Sequence, residues 1–177
     1  VSPVIAFLLT YANVIKLQIT LDPLTGINNR RALLKALASK CRNVKKENSL
    51  YFLFIDIDNF KQMNDVYGHS EGDRALQSVA DSLNKICRTW GGICARYGGD
   101  EFAVIQELPL NRSVAELCKK IDSAVTQRSE KAKLACPVKV SVGYAEFNKD
   151  AATVQELINF ADEQMYRKKA KKHKKAL

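Results

Sequence analysis

A chain of 177 residues, 46% apolar and 27% charged with 8 Gly and 4 Pro, has the composition of one ordinary globular domain, and this excludes a fibrous or disordered chain. The formal net charge of +9 suggests a nucleic-acid partner until the charges are located. Arg167, Lys168, Lys169, Lys171, Lys172, Lys174 and Lys175 carry most of it in one short C-terminal stretch, leaving the body close to neutral. No aromatic residue is interleaved among them, so nucleic acid is not the expected partner, and a solvated end of a last helix accounts for the run.

Residues 1–15, "VSPVIAFLLTYANVI", carry no charge. The stretch is shorter than the roughly 20 residues a spanning helix needs. It suits the last turns of a transmembrane or signalling helix, or a surface helix covering the domain's own core, and spacing does not choose between them. Because the first residue is Val, the expectation is a piece of a longer protein. The division expected is residues 1–21 as that apolar helix, 22–170 as the main globular domain and 171–177 as a basic tail.

In "DPLTGINNRRALLKALASKC", Pro23 and Gly26 punctuate a turn and Asn28 or Asn29 caps an amphipathic helix to about Cys41. "SLYFLFIDID" (49–58) is a dense apolar run, the mark of a buried central strand, yet it ends in acids. "NFKQMNDVYGHSEGD" reads as a short helix and a glycine turn, after which Ser70 is the expected cap of a helix to about Arg88. Strands follow at 93–97 and 101–107 around a turn at 98–100. Ser113 with Glu116 forms a capping box for a helix to about Arg128, a strand covers 138–147, and Thr153 with Glu156 opens a final helix into the tail. The central hairpin makes the sheet mixed, which argues against a plain doubly wound fold.

The five cysteines (Cys41, Cys87, Cys94, Cys118, Cys136) contain no C-x-x-C pair and read as small buried apolar residues in a reducing compartment. There is no P-loop and no dinucleotide-binding glycine pattern.

The residues that do suggest chemistry are acids. Asp56 and Asp58 alternate with Ile57, so both project from one face at the end of the apolar strand. If that strand lies beside the 93–107 hairpin, Asp100 and Glu101 converge on it. Several carboxylates gathered at low dielectric need a neutralising cation, and oxygen-only donors favour Mg²⁺ or Mn²⁺, with phosphate oxygens completing the shell. Exposed turn acids are the alternative on spacing alone. Asn59, Phe60 and Lys61 would place backbone N–H groups at a helix N-terminus as a phosphate cradle. Asn64 and Asp73 carry an amide and a carboxylate suited to a guanine edge, though both could equally be helix caps.

Taken together, "DPLTGINNRR", "FIDIDNFKQMND", "GHSEGD", "RYGGDEF", "SVGYA" and "ADEQMY" resemble, in order, the motifs of the GGDEF family of diguanylate cyclases. The resemblance covers residues 22–169. It implies an α/β (α+β) nucleotidyl cyclase or palm-like domain, a central mixed five-stranded sheet flanked by helices. It also implies a bacterial signalling enzyme that condenses two GTP into cyclic di-GMP with release of two pyrophosphates, each GTP held by one subunit of a homodimer. Two Mg²⁺ (or Mn²⁺) per site would be held by Asp56, the Ile57 carbonyl, Asp100 and Glu101, with Glu101 alternatively assisting deprotonation of the ribose 3′-OH. Asn64 and Asp73 would read guanine; Asn59, Phe60, Lys61 and Lys169 would meet the phosphates; Gly98 and Gly99 would let the backbone approach the nucleotide. The implied setting is a cytoplasmic domain tethered to the inner membrane, with an N-terminal sensor or membrane region outside this chain. A GTP-binding regulatory domain without turnover is the alternative.

Two departures stand out. Where many members carry an R-x-x-D product-inhibition site, this chain has Thr89 and Gly92, so no primary inhibitory site is expected. His173 stands where the family's last helix commonly has a phosphate-binding arginine.

Overall fold

The computed structural model describes residues 2–7 and 20–175. Residues 3–7 are helical. The apolar stretch 8–19, and with it most of the expected N-terminal helix, lies outside the described residues, as does the side chain of His173.

The first strand, β1 (Asn28–Asn29), was not expected from the sequence; two polar residues give no periodicity to read. Helix α1 (Arg30–Arg42) follows at once, and Asn29 is its cap, its side-chain oxygen accepting from Ala32 N at 3.0 Å. Next come β2 (Asn48–Ile57), α2 (Phe60–Tyr67), α3 (His69–Trp90), β3 (Ile93–Gly98), β4 (Glu101–Pro109), α4 (Val114–Lys131), β5 (Val140–Glu146) and α5 (Val154–Lys175). The five strands form one sheet in the order β1-β3-β4-β2-β5. Among the described strands the β1–β3 pair is parallel and the others are antiparallel, giving the expected mixed sheet.

Strand β2 is central and buried on both faces, which is why its sequence is continuously apolar rather than alternating. Its odd-numbered side chains, Leu53, Ile55 and Ile57, pack with α2, α3 and α4 through Met63, Val79, Leu83, Ile121 and Val125. Its even-numbered ones, Phe52 and Phe54, pack with α1 and α5 through Leu33, Leu37, Leu157 and Met165. By the same parity Asp56 falls on the α1/α5 face at the strand's end. Gly143 of β5 marks a close approach of helix α5 to the sheet. A Cβ there would lie 2.1 Å from the Ala161 carbonyl and 2.2 Å from Met165 N, so only glycine lets α5 settle this near β5.

Two capping expectations are corrected. Ser70 does not cap α3; Gly68 does, at φ 84°, with His69 already helical. Ser113 caps α4 by accepting from Ala115 N, but Glu116 turns outward to Lys120 instead of closing the box. The Thr153–Glu156 box is complete: Glu156 N donates to Thr153 Oγ1 and Thr153 N to Glu156 Oε2, both at 3.2 Å. The cysteines are free thiols; Cys87 and Cys94 are buried, while Cys41, Cys118 and Cys136 are half-buried, against the expectation that all five lie inside.

Candidate active site

The antiparallel register of β2 and β4 sets Asp56 directly opposite Glu101, and the register of β2 and β5 sets it opposite Ser141. Gly98 pairs with Glu101, so Gly99 and Asp100 alone form the turn between β3 and β4. Ile57 N donates to the Asp100 carbonyl at 3.3 Å and closes the acidic turn against the end of β2. The convergence expected of Asp56, Asp100 and Glu101 is therefore built by strand register.

Like charges in one place leave a mark on ionisation. Burial pushes the Asp56 carboxyl up; the Lys169 ammonium opposes that, while Asp100 and Asp58 add to it. Glu101 is raised by burial first and then by Asp56, Asp100 and Asp162, with Arg30 opposing. These two acids carry charge at a cost, which a bound cation would relieve.

The tail supplies the nearest cations. Lys169 Nζ donates to Asp56 Oδ1. Lys172 Nζ, one turn on, donates to Asp58 Oδ2 and to the Val140 carbonyl, each at 2.7 Å. Lys168 Nζ donates to the Val142 carbonyl at 2.7 Å. Ser141 Oγ donates to the other Asp58 oxygen at 2.6 Å. Lys168 and Lys172, expected on a solvated helix end, and Lys169 with them thus bind this edge of the sheet, where Gly143 lets α5 lie close. Lys169, expected at a phosphate, sits on the carboxylate of Asp56.

The glycines differ in their reasons. Gly99 has φ 42° in open space, a conformation that favours glycine at the turn. A Cβ on Gly98 would meet only Glu101 Oε2, at 3.8 Å.

Two residues that hold the turn open the motifs "DPLTGINNRR" and "RYGGDEF" but were given no role from the sequence. Arg96 donates to the Gly99 carbonyl through Nε (3.0 Å) and Nη2 (2.8 Å), and through Nη1 reaches Asp22 at 3.3 Å. Asp22 also accepts from Thr25 N (2.9 Å) and Thr25 Oγ1 (2.6 Å). Burial alone would raise the Asp22 carboxyl, but the Thr25 bonds and the Arg96 guanidinium outweigh it and hold it below the ordinary range. The "DPLTG" turn and the acidic hairpin are joined by this fork.

Helix α2 starts two residues beyond Asp58. Asn59, its cap residue, is in the left-handed region at φ 58° and makes no side-chain capping bond. Its first turn, with Phe60 and Lys61, holds no acid. An uncapped helix N-terminus beside the acidic edge is suited to phosphate. Asn64 lies further along α2 against Gly72 of α3, its side-chain oxygen buried without a partner; Asp73 is exposed on the next position of α3. A cavity of about 710 Å³ opens beside Asp58 and Lys172, between α2, α4 and the segment 136–139. It includes Asn59 but none of Asp56, Asn64, Asp73 or Glu101.

A family model described as "Diguanylate cyclase, GGDEF domain" matches residues 19–175, nearly the whole chain. The chain belongs to the GGDEF family. A bifunctional diguanylate cyclase/cyclic di-GMP phosphodiesterase, MucR of Pseudomonas aeruginosa, is 33% identical over 95% of this chain and 25% of its own length. Diguanylate cyclase DgcP of Escherichia coli is 33% identical over 86% of this chain and 45% of its own. The chain thus spans less than half the length of these GGDEF relatives. Among solved structures, the coiled coil and GGDEF domain of DgcB from Caulobacter crescentus, in complex with c-di-GMP, shares the fold at a TM-score of 0.79 and 23% identity, over 94% of this chain and 88% of that one.

Proposed function

We propose that this GGDEF domain is an active diguanylate cyclase that condenses two GTP into cyclic di-GMP and two pyrophosphates. The observation that carries the reading is the cross-strand placement of Asp56 and Glu101, with Asp100 in the adjoining turn, on one edge of the sheet beside an uncapped helix N-terminus.

Among the described residues, no group of three or more Asp, Glu, His or Cys side chains is gathered closely enough to hold a metal unaided. Mg²⁺ and Mn²⁺ take few protein carboxylates and complete their shell with substrate phosphates. Asp56, Asp100 and the Ile57 carbonyl would hold one ion, with Glu101 at a second. Bound there, the metals would supply charge neutralisation at the attacking and leaving oxygens. The α2 N-terminus, with Phe60 and Lys61, binds the phosphates; Asn64 and Asp73 read the base; Glu101 takes the 3′-OH proton. Lys169 bridges Asp56 and the terminal phosphate side of the site. The ribose 3′-oxygen of one GTP then attacks the α-phosphorus of the other and displaces pyrophosphate, so two domains must face each other about a two-fold axis.

The product brake is absent in this reading. A Cβ at position 92 would lie 2.4 Å from Gln106 Oε1 and 3.1 Å from the Ile105 carbonyl, so an aspartate there has to displace the buried Gln106 side chain. Gln106 is itself fixed by donating to the Trp90 carbonyl at 2.8 Å. A groove of about 720 Å³ between α3 and α4 does carry Lys85, Arg88, Thr89 and Lys131, so product inhibition is to be measured directly.

We place the domain in the cytoplasm, where GTP is, as the output part of a longer membrane-tethered protein divided near residues 21 and 170. Among the described residues no helix is long and apolar enough to cross a membrane. The test is incubation with GTP and Mg²⁺: cyclic di-GMP and pyrophosphate support the reading. Tight GTP binding without either product would instead show a regulatory GTP-binding domain.

A further inference from the structure

Gly72 lies in the second turn of the long helix α3, a place where glycine is a weaker helix former than alanine. Its φ is ordinary, so no turn requires it. What excludes a side chain is one neighbour. A Cβ at 72 would lie 1.9 Å from Asn64 Oδ1 and 3.0 Å from Asn64 Cγ, with the Phe60 ring edge next at 3.3 Å. Among the described residues, Asn64 Oδ1 is also one of three buried side-chain oxygens without a hydrogen-bond partner. Burying an amide oxygen against a bare Cα costs free energy and stabilises nothing in the fold itself. The amide lies with its oxygen inward, and Nδ2 is not among the buried unpartnered atoms.

We propose that Gly72 is a positioning residue for base selection: its missing side chain is the seat that holds the Asn64 amide oxygen-inward, so that Nδ2 donates to the O6/N7 edge of guanine. The inference rests on the guanine role given above to Asn64. It assigns specificity to a helix–helix contact, not to a residue that touches the nucleotide. Adenine presents an amino group where guanine has O6, so an amide held in this orientation discriminates between them; a freely turning amide does not.

The prediction separates from a packing role by sign. In Gly72→Ala, the colliding atom is the tip of a flexible side chain, so Asn64 swings away and α3 gains a better helix former. The melting temperature stays level or rises, while base selection falls. The probes are 3′-deoxy-GTP and 3′-deoxy-ATP, which lack the attacking hydroxyl and so report binding without turnover, titrated by calorimetry with Mg²⁺. Gly72→Ala should weaken 3′-deoxy-GTP binding about tenfold, the loss of one hydrogen bond, and narrow its advantage over 3′-deoxy-ATP. In an Asn64→Ala background Gly72→Ala should cost nothing more, because the interaction it perturbs is already gone. Retained discrimination in Gly72→Ala, or the same tenfold loss in the Asn64→Ala background, overturns the proposal. A wild-type chain that does not prefer the guanine nucleotide overturns the Asn64 assignment as well.

Discussion

Replacing Arg96 with Met tests how the acidic turn is held. The substitution keeps the aliphatic stem and removes the guanidinium, which makes two bonds to the Gly99 carbonyl and one ion pair to Asp22. Hydrogen bonds to a charged group contribute about 1.5–3 kcal/mol each, but two donors sharing one acceptor do not count twice. The Arg96 and Asp22 side chains are 18% and 16% exposed, so solvent screening discounts their pair only modestly. A loss of about 2–4 kcal/mol follows, within a typical total of about 5–15 kcal/mol, so the variant remains folded at 25 °C. Urea denaturation followed by circular dichroism reads the stability, and pyrophosphate release reads turnover. Arg96→Lys should recover part of the stability, since an ammonium cannot span both partners as the fork does. The acid limb adds a sign. Asp22 titrates below its ordinary 3.8, so its contribution is fully present above that pH and is lost as pH falls through the lower folded-state value. The gap between wild type and Arg96→Met should therefore narrow only below pH 3.8. A variant with the wild-type urea midpoint at neutral pH would refute the role given to this fork.

Three further outcomes are expected. Glu101→Gln should cut turnover by at least about a hundredfold, as loss of a general base does, yet melt higher than wild type at neutral pH. Its raised folded-state pKa means the charged form is disfavoured by folding, so the stability cost appears above that pKa and vanishes as pH falls. Lys172→Met should cost about 1 kcal/mol or less, because the Lys172 side chain is 48% exposed, and thermal melts check this. Thr89→Arg with Gly92→Asp should not restore product inhibition and should destabilise by about 1–3 kcal/mol through the collision with Gln106; urea midpoints and initial rates with added cyclic di-GMP measure both.

The sequence showed the fold where periodicity or dense burial writes a signal: the apolar run of β2, the hairpin of β3 and β4, and the capped helices. It did not show β1, which is two polar residues held by parallel pairing to β3, nor the Gly68 cap, which depends on a backbone angle and not on a side chain. The acids were legible because their types and spacing are unusual at the end of a core strand. Their supports were not. Arg96 and Asp22 are separated by 74 positions, and only the fold brings them together. The lysines of α5 looked solvated because helical spacing alone says nothing about a sheet edge that Gly143 allows the helix to approach.

The central claim is that register assembles Asp56, Asp100 and Glu101 into a site that joins two GTP. Incubating the purified domain with GTP and Mg²⁺, and separating the nucleotides by chromatography, measures it most directly. Cyclic di-GMP and pyrophosphate in a 1:2 ratio are expected, with the rate rising more steeply than linearly in enzyme concentration as dimers form. Bound, unchanged GTP at every enzyme concentration would contradict it.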